Sequence, residues 1–159
     1  MITLQPMNEN DADIVLTIRN DEKTRHYLHN SDIFSVDDFT NWINSANPEW
    51  YIILKSEFAC PWPAVKYEAV GYVRTSIVDD ITYVGVDIDP YHRRLGYATQ
   101  AYAQIFDMLI DRGEKEVGLA VLEDNIPAIK LYKKLGFYVK EKCLVSNKPS
   151  LAMRLDLLK

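Results

Sequence analysis

Twice in the second half of the chain, a strand-like apolar pattern gives way to a helix-like one across a polar turn. Residues 81–88, ITYVGVDI, alternate as a strand does. In residues 98–113, ATQAYAQIFDMLIDRG, Ala98, Tyr102, Ile105, Phe106 and Leu109 share one helical face, and Gly113 ends it. The second unit runs from the short apolar strand VGLAVL, residues 117–122, into a helix capped by Asn125 with Pro127 in its first turn. There Ala128, Leu131, Tyr132 and Leu135 recur at helical spacing before Gly136. Two strand–helix units in succession, after a run of strands, predict a mixed α/β sheet with helices on both faces.

The first half supplies that run. Residues 2–6 alternate weakly and start a sheet. Asn10 or Asp11 caps a helix with Ile14, Val15 and Ile18 on its apolar stripe, and Ser35 with Asp38 forms a capping box for VDDFTNWINSA. WYIILK and YEAVGYVRTSIV read as strands, and FYVKEKCLV with SLAMRLDLL as a closing antiparallel pair. Between the first two lies SEFACPWPAVK, residues 56–66, whose two prolines argue against a regular ladder. Phe58 and Trp62 are costly to expose there, which suits a packed loop, a substrate surface or a homodimer contact. At 159 residues, with no repeat or linker, residues 1–159 read as one domain.

The junction DIDPYHRRLGYATQAY places Arg93, Arg94 and Gly96 where the helix begins. A helix N-terminus offers unpaired N–H groups and partial positive charge, glycine admits a close ligand, and arginines add donors, so the stretch suits a pyrophosphate. It is neither a P-loop nor a dinucleotide fingerprint. The net charge of −5 leaves no basic footprint for nucleic acid. No apolar run reaches membrane-spanning length, and MITLQPMNEND lacks a leader's basic and apolar segments, so the expectation is a cytoplasmic protein. Cys60 and Cys143 have no metal spacing, and no metal site is expected.

Arg93-x-x-Gly96-x-Ala98 resembles the [QR]-x-x-G-x-[GA] loop of the GNAT N-acetyltransferases, and residues 121–137, VLEDNIPAIKLYKKLGF, resemble that family's N-x-x-A-x-x-L-Y-x-x-x-G-F signature. The resemblance implies a mixed, mostly antiparallel sheet of six or seven strands, splayed between the fourth and fifth, that binds acetyl-CoA and acetylates an amine. It implies that the backbone of Arg93, Arg94, Leu95, Gly96, Tyr97 and Ala98, with Thr99 behind, cradles the pyrophosphate. Val86 and Ile88 would pair with pantetheine, Asn125 would bind the CoA arm, and Tyr132 would protonate the departing thiolate. The glutamate that ribosomal-protein N-terminal acetyltransferases carry before the second signature is Ala120 here. A base would come instead from Asp87 or Asp80, with Glu123 a weaker candidate.

IRNDEKTRHYLHN, residues 18–30, resembles the substrate segment of acetyltransferases acting on nucleotide-linked amino sugars and of the ribosomal-protein-type group. Arg19 and Asn20 would hold a phosphate or hydroxyl, and Tyr27 or Trp42 would stack on a base or sugar. The implied acceptor is a small-molecule amine. A protein N-terminal or lysine acetyltransferase and a non-catalytic acyl-CoA sensor are the alternatives.

Overall fold

The computed structural model describes residues 1–45, 49–58, 60–61 and 64–158. Strands β1 (Ile2–Pro6), β2 (Tyr51–Phe58), β3 (Val65–Val78), β4 (Ile81–Ile88), β5 (Glu116–Leu122), β6 (Tyr138–Val145) and β7 (Lys148–Asp156) form one sheet. Their order is β1-β2-β3-β4-β5-β7-β6. The β4–β5 pair is parallel and the others are antiparallel. The β4–β5 ladder has two register pairs, Thr82 with Val117 and Tyr83 with Gly118, after which the strands part. This is the splay between fourth and fifth strands that the motifs imply.

Helices α1 (Ala12–Arg19), α2 (Glu22–Arg25) and α3 (Val36–Ser45) precede β2; α4 (Tyr97–Asp111) joins β4 to β5, and α5 (Ile126–Leu135) joins β5 to β6. Strand alternation sends neighbouring residues to opposite faces. Ile52 and Tyr72 pack with Val15 and Ile18 of α1 and Phe39 of α3 on one face. Ile53 and Val73 join Tyr102, Ile105 and Leu109 of α4 and Ile129 of α5 on the other. Burying each large apolar side chain stabilises the fold by about 1.5–3 kcal/mol, so both layers hold the helices that wall the cavity below.

Local chemistry sets most boundaries. Ser35 Oγ accepts from Asp38 N at 3.1 Å while Asp38 Oδ2 accepts from Ser35 N at 2.8 Å, closing the expected capping box. At the N-terminus the box sits earlier than expected. Asn8, not Asn10 or Asp11, supplies the side-chain cap, because a short 3₁₀ turn (Glu9–Asp11) precedes α1. Ile14 falls at the edge of its stripe, exposed at 37%. In α5 the fully packed residue is Ile129, which the reading of that stripe omitted. Segment 56–66 departs most from expectation. The β2–β3 ladder continues to Phe58 opposite Val65, because Pro61 lies beyond the last rung and takes no part in it. Phe58 is 80% exposed, so it is not packed in a loop, and it does not line the cavity. Trp62 lies outside the described residues.

Candidate active site

Where β4 and β5 part, a cavity of about 870 Å³ opens, walled by both strands, by the starts of α4 and α5 and by the α1–α3 region. Its first wall is the open edge of β4. Asp89 N donates to Val70 O at 2.8 Å, toward β3. Backbone groups alternate along a strand, so those of Val86 and Ile88 face the opposite, unpaired side. The Ile88 carbonyl is taken by Arg93 Nε at 3.1 Å, and Arg93 Nη2 donates to Thr24 Oγ1 at 2.9 Å. The Arg93 side chain therefore straps the end of β4 to α2 and is not a free cation for phosphate.

Beyond the strap the chain turns sharply. Arg94 and Gly96 both have left-handed backbone, at φ 63° and 83°. A Cβ at Gly96 would meet nothing nearer than Gln100 Nε2 at 4.0 Å, so the space above the helix start is open. No side chain caps α4, whose first-turn N–H groups at Tyr97, Ala98 and Thr99 are left for a ligand. Their partial positive charge favours an anion, so the loop fits the pyrophosphate of CoA. Arg94 lines the cavity mouth and is exposed, whereas Leu95, 60% exposed, does not line it. Asn125 lines the cavity while its side chain accepts from Ala128 N at 3.4 Å.

The floor is polar and buried. In the β3–β4 ladder Tyr72 stands opposite Asp87 and Arg74 opposite Gly85, all on one face. Gly85 makes room for Arg74: a Cβ there would lie 2.8 Å from Nη2. Arg74 Nε is 3.2 Å from Asp87 Oδ2. The Tyr72 hydroxyl turns toward Asp87 and the Tyr102 hydroxyl toward Tyr132. Apart from the Arg74–Asp87 ion pair, none of these contacts has the alignment of a settled hydrogen bond, and Tyr72 OH, Arg74 Nε, Asp87 Oδ2 and Tyr102 OH are all buried. Such atoms destabilise a fold unless something binds them, and Arg74, Asp87 and Tyr102 line one opening. Tyr132 lines the same opening, its ring 5.9 Å from those of Tyr102 and Phe137. Burial raises its phenol above the usual tyrosine range. The nearby Tyr102 hydroxyl pulls the other way, and the Asp87 carboxylate adds to the rise. Tyr132 therefore stays protonated at neutral and mildly alkaline pH.

On the remaining wall Arg19 is 5% exposed, with its guanidinium 3.8 Å over the Phe34 ring. It donates to Asn30 O at 2.7 Å and Asp32 O at 3.1 Å. Tyr27 lines the cavity, as does Trp42, which stacks on Trp50 at 4.0 Å between centroids. Asn20 does not line it: both ends of its amide hold the Phe34 backbone, at 2.8 and 2.9 Å, which positions the segment carrying Asn30 and Asp32. Asp80 sits in the β3–β4 turn at φ 63°, and neither it nor Glu123, paired with Lys142 at 3.3 Å, reaches the cavity.

Several cavity residues escaped the sequence reading, Arg74 and His29 among them. Arg74 carries a signal: it is the one charge inside the apolar stretch AVGYVRTSIV. His29 carries none, because its partner is distant in sequence. Its Nε2 lies 3.0 Å from Ser150 Oγ, which donates its only proton to Lys148 O at 3.0 Å. Both contacts are made together when Nε2 holds the proton, a tautomer that leaves Nδ1 with a lone pair. Burial lowers the His29 pKa, helped by Arg74 and Lys148, so the ring is neutral at pH 7.

A parallel pair that splits beside an uncapped helix N-terminus defines an acyl-CoA-dependent transferase architecture. The model of the acetyltransferase (GNAT) family matches residues 17–137, and the chain belongs to that family. It is an acetyl-CoA-dependent N-acetyltransferase. A domain from Methanocaldococcus jannaschii superposes with a TM-score of 0.85 at 19% identity, covering 98% of each chain. Spermidine N-acetyltransferase from Vibrio cholerae, solved with CoA and spermine, has a TM-score of 0.81 at 15% identity, covering 99% of this chain and 98% of that one. The ribosomal-protein-S18-alanine N-acetyltransferase from Escherichia coli gives 0.71 at 18% identity, covering 99% and 94%. No curated protein matches the chain. Among the described residues no helix is long and apolar enough to cross a membrane.

Proposed function

We propose that the chain moves the acetyl group of acetyl-CoA to the primary amine of a small molecule, and that the cavity at the β4–β5 split is where it does so. The supporting observation is the meeting, at one split, of an open, uncapped helix start with a half-buried, protonated phenol. Acetyl-CoA supplies the activated thioester. The N–H groups from Arg93 to Thr99 hold its pyrophosphate, and Arg94 adds an exposed cation. Val86 and Ile88 align the pantetheine arm along the free strand edge, with Asn125 on the facing wall. The Ile88 N–H donates to the thioester carbonyl oxygen as negative charge develops there. Tyr132 protonates the leaving thiolate, and Tyr27 and Trp42 position the acceptor beside it. A thiol-release assay with acetyl-CoA against amino sugars, nucleotide-linked amino sugars, amino acids, polyamines and peptides tests the reading. Turnover confined to peptides would replace it with a protein acetyltransferase.

An amine must lose a proton to attack. Among the proton acceptors that line the cavity His29 is better suited than Asp87, which faces Arg74 at 3.2 Å, or His92, whose Nε2 lies 3.2 Å from Glu68. His29→Gln is then expected to lower kcat/KM by about 10²-fold and to erase the acidic limb of its pH profile. That limb lies below the usual histidine range, since burial, Arg74 and Lys148 all favour the neutral ring. If His29→Gln retains the limb and Asp87→Asn removes it, Asp87 is the base.

A further inference from the structure

Of the Asp and Glu residues, only Asp87 lines the cavity among the described residues, against Arg19, Lys23, Arg74, Arg93 and Arg94. This runs against the chain as a whole, whose net charge is −5. Arg93 and Arg94 belong to the loop at the CoA end. The acceptor end keeps Arg19, Lys23 and Arg74, with Asp87 already facing Arg74 at 3.2 Å. Arg19 is nearly buried, and it donates to two carbonyl oxygens and lies over the Phe34 ring. Burial lowers its pKa, and Arg74 and Arg25 act on it as like charges, with Asp87 as the one carboxylate in opposition. A cluster with more guanidinium than carboxylate in a low-dielectric cavity is costly until an anion joins it. Arg74 is built to receive one. Its side chain is 36% exposed and spread over the bare backbone of Gly85, with its Nε against Asp87 Oδ2 at 3.2 Å.

We propose that the acceptor amine carries an anionic group, a carboxylate or a phosphate ester, which Arg74 binds with Arg19 adding charge behind it. This rests on the acetyl-transfer reading and narrows it. A polycationic amine would place ammonium groups beside two guanidinium groups with one committed carboxylate to answer them.

The test compares paired amines by calorimetry on the CoA-loaded protein: glucosamine phosphate against glucosamine, alanine against alaninamide, and spermidine alone. The proposal expects at least one anionic member to bind roughly tenfold or more tightly than its uncharged twin, the scale of a charge-assisted pair. The two pairs separate phosphate from carboxylate. In Arg74→Gln that preference is expected to disappear while acetyl-CoA affinity stays unchanged, and Arg74→Lys is expected to restore part of it. Equal binding within both pairs overturns the proposal, as does tightest binding of spermidine. A loss of acetyl-CoA affinity in Arg74→Gln also overturns it, by assigning the guanidinium to CoA. Thiol release, measured in parallel, reports on acetyl transfer separately: anion preference without turnover would remove the enzymatic reading and leave the anion site standing.

Discussion

Tyr132→Phe is expected to lower kcat by about 10²-fold or more, the usual scale of general acid catalysis, with acetyl-CoA affinity little changed. The substitution removes one hydroxyl and almost no volume, and the ring keeps its edge contacts with Tyr102 and Phe137. The pH profile sharpens the assignment. Burial raises the phenol's pKa, so the wild-type rate should persist above the ordinary tyrosine value of about 10 and fall only as Tyr132 ionises. The variant should lack that alkaline limb. Normal single-turnover rates in Tyr132→Phe would make the residue a packing aromatic. Acetyl-CoA binding without turnover on any amine, in either protein, would make the chain a sensor.

Gly96→Val should weaken acetyl-CoA binding by about tenfold or more, as expected when one or two charge-assisted hydrogen bonds are lost. Left-handed backbone costs a side chain about 1–2 kcal/mol, a loss the fold can bear because the new Cβ meets nothing within 4 Å except Gln100 Nε2 at that limit. The valine methyls would instead fill the space where a phosphate approaches the first-turn N–H groups. Arg94→Ala should weaken binding less, by an amount that shrinks at high salt, since an exposed cation is already screened. Calorimetry with circular dichroism on the same samples separates lost binding from lost structure. Unchanged affinity in Gly96→Val would remove the loop from the site.

The end of the cavity at the helix starts was legible because its determinants are local. Gly96, the uncapped start of α4 and the Asn125 cap lie within two short segments, each at the head of a helix that the apolar spacing marks. The acceptor end draws on pairings that cross the chain. Arg74 reaches the cavity through β3–β4 register, opposite a glycine, and His29 through a hydrogen bond to Ser150 at the far end of the sequence. Arg93 was misread for the same reason: the strap to Thr24 closes across 69 positions. The overhanging β2–β3 ladder shows the limit of proline as a signal. Pro61 excludes only its own position from a ladder, and that position lies outside the paired stretch.

The two-rung join between β4 and β5 bears on how long this protein survives in a cell. On either side the antiparallel ladders run to Ile88 and to Leu122, so the sheet is two stiff panels meeting at a short seam. A donor lying along the free edge of β4 lengthens that seam, and it does so in the folded state alone. At a hundredfold excess over its dissociation constant such a ligand adds about 2.7 kcal/mol. Resistance to heat and proteolysis should then track the supply of acyl donor, and starvation for acetyl-CoA would thin the enzyme's own population as well as idle it.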